Sequence, residues 1–240
     1  MKKVNLLMVL GIFMFSQVWS QKASILQLGT EAPSFTAMST NGKIKFPKDF
    51  GNSWKILFAH PKDFTPVCSS EILELAYAQE SLKEMDVEVA VMSVDILDQH
   101  NSWKAALEEL SYKDRNPVKI NFPIIDDSDM KISRQYGMIH DASSTVMNIR
   151  GVYIINPDNI ISAIYFYPNE VGRNLDELKR TLTALQTTYA YQNVVTPANW
   201  NKGDDVIVPV LTQAEKDEMK LPGSKYNEVA WFLVFKELKF

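Results

Sequence analysis

The sequence predicts an α/β fold: a mixed central sheet with helices on both faces, followed by a small C-terminal segment. Three observations predict it. Continuous apolar runs of strand length alternate with helix-length segments up to residue 192. The last strand pair lies around the turn Asn156-Pro157-Asp158-Asn159, which adds antiparallel strands to the alternating part. Beyond residue 192 the chain turns rich in Pro, Asn and Asp and loses its periodic runs. At 240 residues there is room for one large domain with an appendage.

Residues 1–20 read as a secretory signal peptide. Lys2 and Lys3 precede an apolar stretch from Leu6 to Phe15, and Val18 and Ser20 suit the positions before cleavage at Gln21. The apolar stretch is short against the ~20 residues of a membrane span. The expected location is therefore a periplasm or the cell exterior, with no stable membrane insertion after cleavage. Residues 21–192 form the main domain. Asn41-Gly42 between two short runs signals a hairpin. Trp54–His60 is apolar throughout, as a central strand buried on both faces should be. A helix follows from about Pro66 to Met85, then a strand over Val87–Asp95, a helix over Leu97–Leu110 and a short strand over Phe122–Asp126. Met130–Tyr136 makes a short helix ended by Gly137. Strands over Gly151–Ile155 and Ile160–Tyr167 precede a long helix over Leu175–Tyr191. Residues 193–240 form the C-terminal segment. Its final stretch, with Trp231, Phe232, Leu233 and Phe235, is expected to lack a core of its own and to pack on the main domain or a second subunit.

Composition excludes several functions. With 25 basic and 29 acidic side chains the chain carries no positive field for nucleic acid. The three histidines stand 40 residues apart and write no zinc motif. Asp126-Asp127-Ser128-Asp129 fails as a calcium loop, because Lys131 and Gly137 stand where a glycine and a glutamate are needed. It reads instead as acidic caps on a helix start. His100 and His140 read as structural or surface residues. No glycine-rich phosphate loop occurs.

The single cysteine, Cys68, rules out an internal disulfide. Thr65 suits a helix N-cap and Pro66 the first helical position, which puts Cys68 in the first turn of a helix that follows a buried strand. A free thiol of pKa ~8.5 is only a few per cent thiolate at neutral pH. A helix N-terminus supplies ~0.3–1 kcal/mol toward ionisation, too little by itself, whereas an adjacent guanidinium moves a pKa by ~1–3. A reactive Cys68 thus needs an arginine from elsewhere. Of Arg115, Arg134, Arg150, Arg173 and Arg180, Arg150 and Arg173 are best placed, one at a strand start and one in the turn before the last long helix.

The segment Pro61-Lys62-Asp63-Phe64-Thr65-Pro66-Val67-Cys68-Ser69-Ser70-Glu71 resembles the active-site motif of peroxiredoxins, and with His60 before it, the one-cysteine, peroxiredoxin-6-like branch. The resemblance spans about residues 26–210. It includes Gly29–Phe35, Ser93-Val94-Asp95 with His100 and Trp103, Phe122–Asp127, Gly172-Arg173-Asn174 and Thr196–Trp200. It implies a thioredoxin-like fold and reduction of hydrogen peroxide and alkyl hydroperoxides, with no metal or organic cofactor. By resemblance, Cys68 is the peroxidatic nucleophile, Thr65 hydrogen-bonds the peroxide and Arg150 stabilises the thiolate. Pro61 shields the site, Glu71 orients Arg150, Arg173 supports that network and His60 lines the pocket. With no second cysteine, an external thiol or other small reductant must resolve the sulfenic acid. Homodimers or higher oligomers are implied. Two other readings stay open: a redox sensor relaying oxidation to a partner protein, and a non-enzymatic holdase-type oligomer.

Two departures from the family pattern, Asn148 and Gly151, predict a slightly looser strand at Arg150. A phospholipase activity known in some members of the branch does not carry over. The segment here is Gly51-Asn52-Ser53-Trp54-Lys55 without an upstream histidine, and Ser53 reads as a strand start.

Overall fold

The computed structural model describes residues 25–238, so the signal-peptide reading of residues 1–20 lies outside the described residues. Seven strands form the main sheet. The hairpin at Asn41-Gly42 joins β1 (Phe35–Ser39) to β2 (Gly42–Phe46). Next come β3 (Trp54–Ala59), α1 (Pro66–Glu84), β4 (Val87–Ser93), α2 (Leu97–Leu107), β5 (Ile124–Asp126) and α3 (Lys131–Gln135). The domain finishes with β6 (Arg150–Ile155), β7 (Ile161–Tyr167) and α4 (Leu175–Ala190). The strand order is β2-β1-β5-β4-β3-β6-β7, with β3, β4 and β5 parallel and the outer pairings antiparallel.

Strand β3 sits between β4 and β6, and every one of its residues is buried. Side-chain alternation divides it between two cores. Ile56 and Phe58 face α1, α2 and α4 through Ile72, Leu75, Trp103 and Leu182. Leu57 and Ala59 face the other side, with Ile132, Tyr136 and Met138 from α3 and the chain after it. The short α3 starts where the acidic run caps it: Asp127 accepts from the backbone N–H groups of Ile132 (2.8 Å) and Ser133 (2.7 Å). It ends where Gly137, at φ 61°, lets the Met138 N–H return to the Ser133 carbonyl at 2.7 Å. Helix α2 stops three residues earlier than its sequence pattern suggests. The Glu108 carboxylate gathers Lys104, Lys119 and the Ile120 N–H, and turns the chain away.

The strand at Arg150 is not loose, contrary to expectation. All of β6 is buried, and it pairs with β7 from Arg150 to Ile155 and with β3 from Val152 to Ile155. Gly151 makes room for Met138: a Cβ there would overlap the Met138 Sδ, lie 2.9 Å from its Cε and 3.4 Å from Phe166 Cδ1. Met138 has no exposed surface to retreat into. Gly151→Ala is expected to cost ~1–3 kcal/mol, toward the lower end because a methionine tip is flexible. A shift in the denaturant midpoint at unchanged slope measures it.

The C-terminal segment also departs from expectation, since it does build a small core. β8 (Val206–Ile207), β9 (Tyr226–Ala230) and β10 (Leu233–Lys236) form a three-stranded sheet in the order β8-β10-β9, and α5 (Gln213–Met219) opens with a capping box at Thr212 and Glu215. Val208, Tyr226 and Val234 are buried between them. Trp200, Val194 and Val206 pack on Ala184 of α4 and tie the unit to the main domain. Trp231 and Phe232, at the tip of the β9–β10 hairpin, remain exposed. Among the described residues no helix is long and apolar enough to cross a membrane.

Candidate active site

The site lies at the end of β3 that leads into α1. Thr65 occupies the N-cap position and Pro66 the first turn, so Cys68 falls where the sequence places it. Thr65 does not cap the helix with its side chain: its hydroxyl donates to the Lys62 carbonyl at 2.9 Å, and its own carbonyl accepts the Ser69 N–H. Phe64, just before it, has φ 57°, a left-handed backbone that costs an aromatic residue ~1–2 kcal/mol. The reversal it makes turns the chain from strand to helix within a few residues. Pro61 is buried in the same turn.

Cys68 has no exposed surface. Arg150 Nη1 donates to its Sγ at 3.3 Å and to Glu71 Oε2 at 2.8 Å. The rest of that guanidinium is held by the Asn169 carbonyl, which accepts from Nε at 3.0 Å and Nη2 at 2.6 Å. Glu71, one turn along α1 from Cys68, is buried between two arginines. Its Oε1 accepts from the backbone N–H and Nε of Arg173, both at 2.8 Å, and its Oε2 also accepts from Arg173 Nη2 at 2.7 Å. Burial alone would raise the Glu71 pKa. The hydrogen bonds and charge of Arg173, with the charge of Arg150, outweigh it and hold the carboxyl below its ordinary range. Arg173 Nη1 donates to the carbonyls of Ala59 (2.7 Å) and Gly151 (3.0 Å), and the guanidinium lies 3.2 Å from the centre of the Phe58 ring.

The structure thus brings Cys68, Arg150, Glu71 and Arg173 into one contact network, with Thr65 and Pro61 in the turn leading to it. His60 stands at the end of β3, but its Nε2 faces Asp63 Oδ1 at 2.8 Å. Sequence reasoning missed Asp63, Asp95 and the part played by the Asn169 carbonyl. The three-residue spacing of His60 and Asp63 in a tight turn was the available signal for the first. A backbone acceptor from a distant loop leaves none. His100, read as a structural or surface residue, is fully buried against Asp63. His60, Asp63 and Asp95 bring ligand-type atoms within 4.8 Å of one another. Both Asp63 oxygens are already engaged by imidazoles, so these residues read as a hydrogen-bond network, not a metal centre. Ser53 lies at the opposite end of β3, where its hydroxyl donates to Asp86 at 2.6 Å.

A thiol in the first turn of a helix, touched by a guanidinium that a buried carboxylate orients, is the apparatus of a cysteine-based peroxidase on a thioredoxin-like fold. Residues 28–164 match the AhpC/TSA family, and residues 184–220 match the C-terminal domain of 1-Cys peroxiredoxin. The chain is 41% identical over 213 residues to a peroxiredoxin of Methanosarcina mazei, covering 88% of this chain and 97% of the relative. It is 36% identical over 225 residues to a peroxiredoxin of Aquifex aeolicus, covering 90% and 98%. Among solved structures, a yeast mitochondrial 1-Cys peroxiredoxin superposes with TM-score 0.77 at 35% identity, over 89% of this chain and all of that one. A cysteine-to-serine mutant of peroxiredoxin 6 of Arenicola marina gives 0.76 at 30% identity, over 90% and 100%. The chain belongs to the peroxiredoxin family of thiol-dependent peroxidases and carries that family's one-cysteine C-terminal domain.

Proposed function

We propose that this protein is an exported one-cysteine peroxidase that reduces hydrogen peroxide and alkyl hydroperoxides through Cys68. The observation that carries this reading is the 3.3 Å contact of Arg150 Nη1 with Cys68 Sγ, with Glu71 locking the arginine in place. The thiolate attacks the peroxide oxygen that bears hydrogen. An S–O bond forms, the O–O bond breaks and an alkoxide or hydroxide leaves. Sulfur gives up two electrons and Cys68 becomes a sulfenic acid. Negative charge grows on the leaving oxygen, and fixed donors aimed there lower the barrier. In this reading Arg150 is one donor and the Thr65 hydroxyl, swung from the Lys62 carbonyl, is the other. Pro61 keeps water from the thiolate, and Arg173 fixes Glu71.

Resolution falls to an external thiol or other small reductant, since Cys68 is the single cysteine in the sequence. The related yeast protein is described as resolved through glutathione and thioredoxin systems, which supports a thiol in that role. A homodimer or larger assembly fits the family. Export rests on the Lys2-Lys3 start and the apolar stretch from Leu6 to Phe15.

Stopped-flow mixing with hydrogen peroxide, followed by tryptophan fluorescence, tests the reading. The mature protein should oxidise far faster than a free thiol, and oxidation at free-thiol speed would overturn it. Arg150→Ala should slow oxidation by ~10²–10³-fold, the cost of one lost charge-stabilising donor. Its alkylation by a thiol reagent at neutral pH should slow as well, since the donor that touches the sulfur is gone. An alkylation rate identical to that of the unmodified protein would remove Arg150 from the role.

A further inference from the structure

A guanidinium carries its N–H groups on a rigid plane, so holding it at one atom and holding it along one edge have different effects. In Arg150 the atom that touches sulfur is Nη1. It donates to Cys68 Sγ at 3.3 Å and shares itself with Glu71 Oε2 at 2.8 Å. A single bond from Glu71 leaves the plane free to swing about Nη1. The opposite edge takes that freedom away: Nε at 3.0 Å and Nη2 at 2.6 Å both donate to the Asn169 carbonyl. The shorter of these has the length of a charge-assisted bond. The acceptor is also neutral. A second carboxylate at this edge would compete with the sulfur for the positive charge, whereas a carbonyl holds the fork and leaves that charge to the thiolate.

Asn169 belongs to the loop between β7 and α4, where Pro168, Glu170, Val171 and Gly172 are exposed. The loop is nevertheless tied down on both sides of the carbonyl. Two residues before it, Tyr167 pairs with Arg150 across the β6–β7 ladder. After it, the Val171 N–H returns to the Pro168 carbonyl at 3.2 Å. A Cβ on Gly172 would lie 3.5 Å from Val67 Cγ1, so the loop backbone runs against the residue that precedes Cys68. The Arg173 N–H then donates to Glu71 Oε1 at 2.8 Å. The Asn169 side-chain oxygen is buried and has no hydrogen-bond partner among the described residues, so the residue meets the arginine through its main chain.

We propose that Asn169 is a positioning residue of the peroxidase site: its main-chain carbonyl sets the plane of the Arg150 guanidinium and, with it, the bond from Nη1 to the sulfur. This rests on the peroxidase reading and gives the β7–α4 loop a part in the reaction rate. Glu71 and Asn169 divide the task between them. Glu71 anchors the atom that touches Cys68, and Asn169 stops the fork from turning about that atom. A loop open to solvent is thereby one peptide group away from the arginine that activates the thiol.

The test exchanges the Asn169–Glu170 amide for an ester, by placing the α-hydroxy acid counterpart of glutamate at position 170. Every side chain stays as it is. An ester carbonyl is a weaker acceptor than an amide carbonyl, and the Glu170 N–H that is lost donates to nothing among the described residues. Oxidation by hydrogen peroxide should slow by about ten-fold, less than the ~10²–10³-fold of Arg150→Ala. The same ester placed in Arg150→Ala should change nothing, because no guanidinium is left to orient. An unchanged rate in the protein that keeps Arg150, or equal slowing with and without the arginine, would overturn the proposal. Nitrogen-15 NMR of the arginine side chains gives an independent reading on the unmodified protein. The Nη signals that disappear in Arg150→Ala should be two separate signals, as in a guanidinium held at both edges. A single averaged signal would overturn the proposal whether or not any variant folds. Failure of the underlying reading looks different: Cys68 of the unmodified protein would react no faster than a free thiol, whatever the guanidinium signals show, and both proposals would fall.

Discussion

Cys68→Ser is expected to remove peroxide turnover completely, leaving only the background reaction of peroxide with the added thiol. A hydroxyl oxygen cannot take up a second oxygen as sulfur does, and no other cysteine in the sequence can substitute. The change is small in volume, and a serine at this fully buried position can still accept from Arg150. The variant should therefore fold, with unchanged circular dichroism and a similar unfolding midpoint. That separates lost chemistry from lost structure. Turnover retained by a folded Cys68→Ser protein would sink the assignment of the nucleophile.

The second large effect is at Glu71. Glu71→Ala leaves the guanidinium groups of Arg150 and Arg173 buried without their shared carboxylate. Breaking one partner out of a buried ion network costs ~3–5 kcal/mol, against a total stability of ~5–15 kcal/mol for a typical domain. The variant should sit close to unfolding, and urea denaturation would measure it. Glu71→Gln keeps the shape, loses the charge and gives the cleaner pH test. The folded carboxyl is held below its ordinary value of 4.5. Its contribution is thus fully present above about that value, declines as pH falls beneath it, and is gone below the folded pKa. Other depressed carboxylates, such as Glu108 at about 2, give the same sign. The informative quantity is the difference between the two proteins: stability lost on acidification should be smaller in Glu71→Gln. Equal acid slopes would show that Glu71 carries no such linkage.

Much of the fold was legible because its signals are local. The unbroken apolar run from Trp54 needs no alternation, since β3 is buried on both faces. Thr65-Pro66 marks the start of α1 and Gly137 the end of α3 through backbone geometry that those residues favour. The C-terminal strands were not legible. β8 is two residues long, and β9 and β10 acquire meaning only when paired with each other, and β10 with Val206 and Ile207. The same divide runs through the site. Cys68 and its turn could be read in place, and Arg150 and Arg173 could be shortlisted by charge and position. The burial of His100 against Asp63, 37 residues away in sequence, could not be read from either segment alone.

Arg173 spends its donors on Glu71 of α1 and on the carbonyls of Ala59 at the end of β3 and Gly151 in β6. One side chain thus closes a loop among a helix and two central strands at the very spot where the thiol sits. Local opening at that end of the sheet must break the network that orients Arg150, so the reactive centre and the cooperative folding unit are the same piece of the molecule. In practical terms, amide exchange protection along β3 and β6 reports at once on the survival of the fold and on the readiness of Cys68.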